Sequence, residues 1–321
     1  MRGLTQTGAT AGRAATRPPS PALRGLAAGR RRHPLSEGRG AAVLVAPFIG
    51  LLMVAGIIPT GYAIYEAFHS PTGSGLTGFT NFSTVVNDFR FVSAFEHVGV
   101  LLLIWVPAMM VIVTLLALLV HASPGRFGTT VRFIYYLPGA LAGIANFMLW
   151  LYILDPTLSP FKFLLHGFGF QNLAQVALPQ RVPIILGLML FFQGAGTWLV
   201  ILYGGFNSIS EEVLEAARID GAGSWRVARD IKLPLIRPWL GYMLLLNIAY
   251  GFQLFLEPSV LGEATHGLVS PQYTPNELSY TYAFQILNTQ GAAALSVIML
   301  VITLAIGLIV VTRVGLFRDA K

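Results

Sequence analysis

The sequence predicts an all-α polytopic membrane protein with six transmembrane helices, and three observations carry that reading. Hydrophobic residues make up 55% of the 321 positions and charged residues only 11%, where a soluble domain carries about 25% charged residues. Six stretches are apolar over the ~20 residues that a helix needs to cross a hydrocarbon core. Lys and Arg gather in alternate connections between those stretches, as the charge bias of membrane topology requires. A soluble chain with six buried core helices does not fit runs of this length with so few charges.

Residues 1–40 are rich in Arg, Gly, Ala and Pro and have little to bury. They read as a disordered cytoplasmic tail, with the membrane domain over 41–321. A signal peptide is disfavoured, because the apolar run that follows is too long for its core. The first span, Ala41–Phe68, contains Pro47 and Pro59 and is expected to tilt or kink. The other spans are expected at His97–Val120, Phe133–Leu154, Ile184–Phe206, Trp239–Leu261 and Gly291–Thr312.

With the N-terminus inside, 18 of the 21 basic residues fall on the cytoplasmic side. The outer segments hold only Arg90, Lys162 and Arg181. Both termini are therefore expected to be cytoplasmic. The net charge of +7 is then a topology signal, and no nucleic-acid partner is needed to explain it.

Several chemistries are excluded. The chain has no cysteine, so disulfides, thiolate metal sites and a Cys nucleophile are absent. His33, His69, His97, His121, His166 and His266 show no metal-ligand spacing, and no metal or catalytic residue is expected. The lysines are Lys162, Lys232 and Lys321, and none follows a glycine, so no phosphate-binding loop exists. Asp155 and Glu277 read as ordinary outer-loop residues.

A charged island breaks the apolar pattern between the fourth and fifth spans. "EAARIDGAGSWRVARDIKLP" (Glu215 to Pro234) carries four basic and three acidic side chains. Ser208 and Glu211 have the spacing of a capping box, so a short helix is expected to start there. Glu211 and Glu212 suit its N-terminal end. Gly221 and Gly223 can end it, with Gly221 at positive φ. Ser224 can cap a second helix through Trp225, Val227, Ala228 and Ile231 that stops at Pro234. A helical hairpin over 208–234 with one apolar face wants either a groove in a partner or the lipid headgroups.

Glu215, Ala216, Ala217, Gly221, Ile231, Leu233 and Pro234 resemble the E-A-A-x3-G-x9-I-x-L-P signature of ABC-importer permeases. Seven fixed positions agree by chance about once in 10^8 tries at ~5–8% background per residue type. "RFIYYLPGALAG" (Arg132 to Gly143), "GFQLFLEP" (Gly251 to Pro258) and "YAFQILNTQGAAALSVIM" (Tyr282 to Met299) look like the carbohydrate branch, the maltose- and glycerol-phosphate-type permeases. The resemblance covers most of 41–321 and implies the importer-type ABC permease fold in a bacterial-type inner membrane. It implies that Glu215, Ala216, Ala217, Asp220, Gly221, Ile231, Leu233 and Pro234 form a coupling helix docked on an ATPase subunit. It implies as partners a second permease, two cytoplasmic ATPases that hold ATP and Mg, and an extracytoplasmic solute-binding protein. This chain would bind no cofactor.

Polar side chains at membrane depth mark a pathway by default. Asn247, Tyr250, Gln253 and Glu257 recur at steps of 3, 3 and 4 in the fifth span, near one helix face. Gln193 and Thr197 come from the fourth span, with Gly194 and Gly196 permitting close approach, and Asn146 from the third. Amide, hydroxyl and carboxylate groups beside aromatic planes suit a sugar. The alternative is that these groups hydrogen-bond helix to helix. A glycerophosphodiester, peptide or amino acid remains a possible cargo under the same mechanism. An ion-coupled secondary transporter would need intramembrane carboxylates, and only Glu66 and Glu257 approach the spans.

Overall fold

The computed structural model describes residues 34–70, 75–123, 125–141 and 143–314. The expected tail over 1–40 lies almost wholly outside the described residues, as do Arg318 and Lys321. The chain divides into two compact units, 1–59 and 60–321.

The described part of the first unit is helical. Helix α1 (Pro34–Leu52) passes Pro47 and runs into a π-helical turn over Met53–Ile57. Ile58 N donates to Met53 O across that turn. This wide turn lies just before Pro59, which has no N–H to give. Helix α2 (Ile58–Ala67) continues from it, and Ala42–Ala67 is long and apolar enough to cross a membrane.

The second unit is also helical, and among the described residues its only β pairing is a lone bridge between His69 and Leu76. Its elements are α3 (Thr80–Val86), α4 (Phe89–Ala122), α5 (Arg126–Ala140), α6 (Ile144–Leu154), α7 (Lys162–Gly167), α8 (Leu173–Val176), α9 (Val182–Asn207), α10 (Glu211–Ile219), α11 (Ser224–Val227), α12 (Leu233–Leu235), α13 (Arg237–Phe252), α14 (Leu256–Ala264), α15 (Pro275–Tyr280) and α16 (Thr289–Val314). The six expected apolar spans correspond to four single helices and two bent helix pairs. Four helices are long and apolar enough to cross a membrane, and the count reaches six only if each of two bent pairs is one span. The α5–α6 pair bends by 105° and the α13–α14 pair by 47°. Gly143 has φ of +55° just before α6, and Phe255 leaves the helical region (φ −141°, ψ −51°) just before α14. Apolar periodicity continues through both breaks and so does not reveal them.

Helix α4 begins eight residues earlier than its apolar run. Asp88 accepts from Arg90 N at 2.9 Å and caps the helix, and the Arg90 guanidinium returns to the same carboxylate at 2.7 Å. That guanidinium holds the Asp88 carboxyl well below the usual carboxylate range. Charged residues excluded this turn from the apolar count, yet the cap and the ion pair make it a sound helix start.

The core lies between α4 and α9. Leu101, Trp105, Met109, Val113 and Ala117 recur at helical spacing on α4 and are buried against Leu186, Met189, Leu190, Leu199 and Leu202 of α9. Large apolar side chains on other faces stay exposed, such as Leu103 and Leu119 of α4 and Leu304 and Leu308 of α16, as suits hydrocarbon or a second membrane subunit. Two glycines let α5 and α9 touch backbone to backbone. A Cβ on Gly196 would lie 2.3 Å from Tyr135 O, and one on Gly139 would lie 2.6 Å from Gln193 O. Gly194 is less critical, because its nearest neighbour is the flexible end of Met109.

Candidate functional site

The hairpin is built by α10, a glycine turn and α11. The N-cap of α10 is Ser210, without a side-chain cap bond, and not Ser208. Ser208 instead ends α9, and its hydroxyl donates to Gly205 O at 2.7 Å. The capping-box expectation therefore fails, because the chain leaves α9 two residues later than the motif needs. Glu211 and Glu212 do occupy the first turn.

The turn after α10 is a complete Schellman motif. Gly221 N donates to Arg218 O at 3.0 Å and Ala222 N to Ala217 O at 2.9 Å. Gly221 has the expected positive φ, +76°. Gly223 does not; it has φ −66° and caps α11, with Ser224 as the first helical residue instead of the cap. Pro234 does not stop the second arm. The chain widens into a π turn over Ala228–Lys232, and Leu233 N reaches Ala228 O. The proline then sits in α12, where its missing N–H is accommodated, and the helical path runs on to α13.

Leu214, Ala217 and Val227 form a small core between the arms, with Ile209, Ala222 and Ile231 packed on it. The rest of the signature faces outward: Glu215, Ala216, Asp220, Gly221 and Pro234 are exposed, and Leu233 is half-buried. Two large apolar side chains are exposed as well, Ile219 at 85% and Trp225 at 68%. The hairpin thus keeps its own small core and still leaves these apolar side chains uncovered. A groove of about 770 Å³ separates it from the ends of α4 and α9 and is lined by His121, Tyr203, Glu215, Arg218, Trp225 and Lys232.

The polar residues of the helical spans divide into two groups. Asn247 is buried and donates to Met243 O of its own helix at 2.7 Å, so it is not displayed beside Tyr250. Gln253 is exposed at the end of α13, where its carbonyl accepts from Asn276. Thr197 is exposed on α9, and Asn146 is fully buried on α6 with neither side-chain polar atom paired within the chain. Tyr250, Glu257 and Gln193 do come together. The Tyr250 hydroxyl donates to Glu257 Oε1 at 2.9 Å across the α13–α14 break, and the Gln193 side chain faces the same hydroxyl. The expected single face over Asn247, Tyr250, Gln253 and Glu257 is therefore corrected, because the helix does not continue through Gln253.

Sequence reasoning missed Trp105. It stands edge-on to Tyr250 with ring centroids 6.2 Å apart, and its Nε1 has no partner. A tryptophan in an apolar run has no spacing that marks it. Glu277 also departs from its expected place in an ordinary loop. It is 1% exposed and completes a capping box with Thr274 at the start of α15. Ser259 Oγ donates to it at 2.7 Å. Burial pushes its carboxyl up to about 7.

Among the described residues there is no group of acidic or histidine side chains able to hold a metal ion. Among the described residues the chain is helical, with four helices long and apolar enough to cross a membrane, two bent helix pairs and a projecting hairpin. Residues 113–318 match the family described as binding-protein-dependent transport system inner membrane component, and the chain belongs to that family. It is 29% identical over 279 residues to the sn-glycerol-3-phosphate transport system permease protein UgpA of Rhizobium meliloti (strain 1021), covering 82% of this chain and 90% of that protein. It is 25% identical over 202 residues to the alpha-glucoside transport system permease protein AglF of the same organism, covering 60% of this chain and 59% of that protein. The fold matches a chain in the crystal structure of a bacterial ABC transporter involved in the import of the acidic polysaccharide alginate. The TM-score is 0.70 at 21% identity, over 89% of this chain and 97% of that one.

Proposed function

We propose that this chain is the transmembrane subunit of an ABC importer that moves a sugar or sugar derivative into the cytoplasm by alternating access. The observation that carries this reading is the hairpin. Its signature residues and its exposed Ile219 and Trp225 project from between two membrane helices, on a turn locked by Gly221. A cytoplasmic ATPase subunit takes that face, and closure of two such subunits around ATP and Mg moves the hairpin as a rigid body. A second permease and an extracytoplasmic solute-binding protein complete the transporter in the inner membrane. Both termini lie in the cytoplasm, and each bent pair counts as one of six spans. The pathway uses Gln193, Tyr250 and Glu257, with Asn146, Thr197, Asn247 and Gln253 as supporting residues. Names of relatives that specify sugars or a sugar-like phosphate support the cargo class.

Reconstitution tests this reading. The chain, its partner permease and the ATPase subunits should assemble in vesicles and accumulate sugar only with ATP and binding protein present. Assembly without ATP-dependent uptake of any sugar tested would refute it.

A further inference from the structure

The break between α13 and α14 gathers polar groups from four helices deep in the apolar region. Tyr250 and Glu257 come from the broken pair, Trp105 from the middle of α4 and Gln193 from the middle of α9. Trp105 is 3% exposed and Glu257 4%. Trp105 Nε1 is a donor without a partner, and Gln193 Oε1 is an acceptor without one. Buried donors and acceptors rarely stay unpaired. A hydroxyl group both donates and accepts, so a polyol can answer both needs, and the two ring faces can cover its apolar side.

The acidic side chain of this cluster is Glu257. Glu257 meets the Tyr250 hydroxyl and the backbone N–H groups at the start of α14, so it already holds the helix end that would otherwise attract an anion. The Lys and Arg residues of the four contributing helices are Arg90 near the start of α4 and Arg237 at the start of α13. At 1.5 Å per residue each lies about 20 Å along its helix from Trp105 or Tyr250. A phosphate or carboxylate brought here would lose its water, find no nearby cation on the helices that form the cluster and face a carboxyl group.

We propose that Trp105, Gln193, Tyr250 and Glu257 form a substrate site that takes uncharged polyhydroxylated molecules and rejects anionic ones, with Glu257 as the discriminating group. The inference rests on the sugar-permease reading and sharpens its cargo class. It separates this chain from the relative named for sn-glycerol-3-phosphate and from the transporter associated with an acidic polysaccharide.

The test uses the assembled transporter in nanodiscs without its binding protein, so that only the membrane subunits select. Radiolabelled probes are matched pairs that differ in charge: methyl glucoside with methyl glucuronide, and glycerol with sn-glycerol 3-phosphate. At pH 7 the neutral member of a pair should bind at least about tenfold more tightly than the acidic member, and Glu257→Gln should shrink that ratio below about threefold. Gln193→Glu, which adds a second carboxyl beside Tyr250, should widen it. Equal binding of both members, or a ratio that neither variant moves, overturns charge selection and leaves the sugar reading intact. Binding of no probe by a fully assembled transporter overturns the sugar reading and this inference with it.

Discussion

Lys232 Nζ lies 2.9 Å from His121 Nδ1, joining the hairpin to the end of α4 across 111 residues of sequence. The ammonium donates to an unprotonated ring nitrogen. Partial burial, with a smaller contribution from the charge of Arg218, pushes the Lys232 amine below its ordinary value. The His121 ring lies 5.6 Å from Phe206 and 6.2 Å from Tyr203, so the same contact reaches α9. The contact therefore ties the hairpin to both helices that form the core.

Lys232→Met keeps the stem and removes the donor. Uptake per ATP hydrolysed should fall while the ATPase stays bound. His121→Ala should act alike, and the double variant should be no worse than either single one. The coupling energy in such a cycle is expected at about 1 kcal/mol for a partly solvated hydrogen bond. Strictly additive losses would show that the contact transmits nothing.

Gly221→Val should detach the ATPase. No atom crowds a Cβ at this position, so the cost is conformational: φ of +76° disfavours a β-branched residue by about 1–2 kcal/mol. Gly221→Asn should be tolerated better, since Asn visits this region more readily. Co-purification of the ATPase with each membrane-inserted variant decides the point. Equal retention by the two variants would contradict it.

Gly196→Ala should damage the fold itself. The added Cβ meets backbone atoms of Tyr135 and Tyr136, which cannot rotate away. Separating α5 from α9 is expected to cost about 1–3 kcal/mol. Gly204→Ala on the same helix meets nothing within 4 Å and serves as the control. A shift in thermal midpoint in detergent should appear for the first variant only.

Glu277 should make its surroundings pH-sensitive. Its folded-state pKa of about 7 stands above the ordinary 4.5, so the folded state binds the proton more tightly. The stabilisation is full below about 4.5 and is lost as pH rises through about 7. Hydrogen exchange over 254–285, corrected for intrinsic rate, should therefore be slower at pH 5.5 than at pH 8. Glu277→Gln preserves a neutral capping partner and should abolish the difference. A pH effect that survives in this variant would assign it to another group.

Reporter fusions after Arg126 and after Asp230 should score as cytoplasmic, and fusions near Thr84, Asn172 and Glu277 as external. These positions test both bent pairs as single spans. A cytoplasmic signal at Asn172 would mean that α5 and α6 turn back without crossing.

The hairpin signature and the apolar spans were legible in the sequence because each depends on residues close together in the chain. Composition and run length determined the membrane class, and seven fixed positions determined the family resemblance. Gly221 was also readable, since a glycine after a short helix has one common use. Tertiary structure alone decided the rest. Trp105 became part of a polar cluster because α4 packs beside the α13–α14 break, and the Asn247 amide is engaged by the Met243 carbonyl of its own helix. Glu277 looked like a loop residue until Thr274 and Ser259 enclosed it. Which neighbour a side chain meets depends on helix crossings set by close contacts such as Gly196 on Tyr135, and those distances have no counterpart in one dimension.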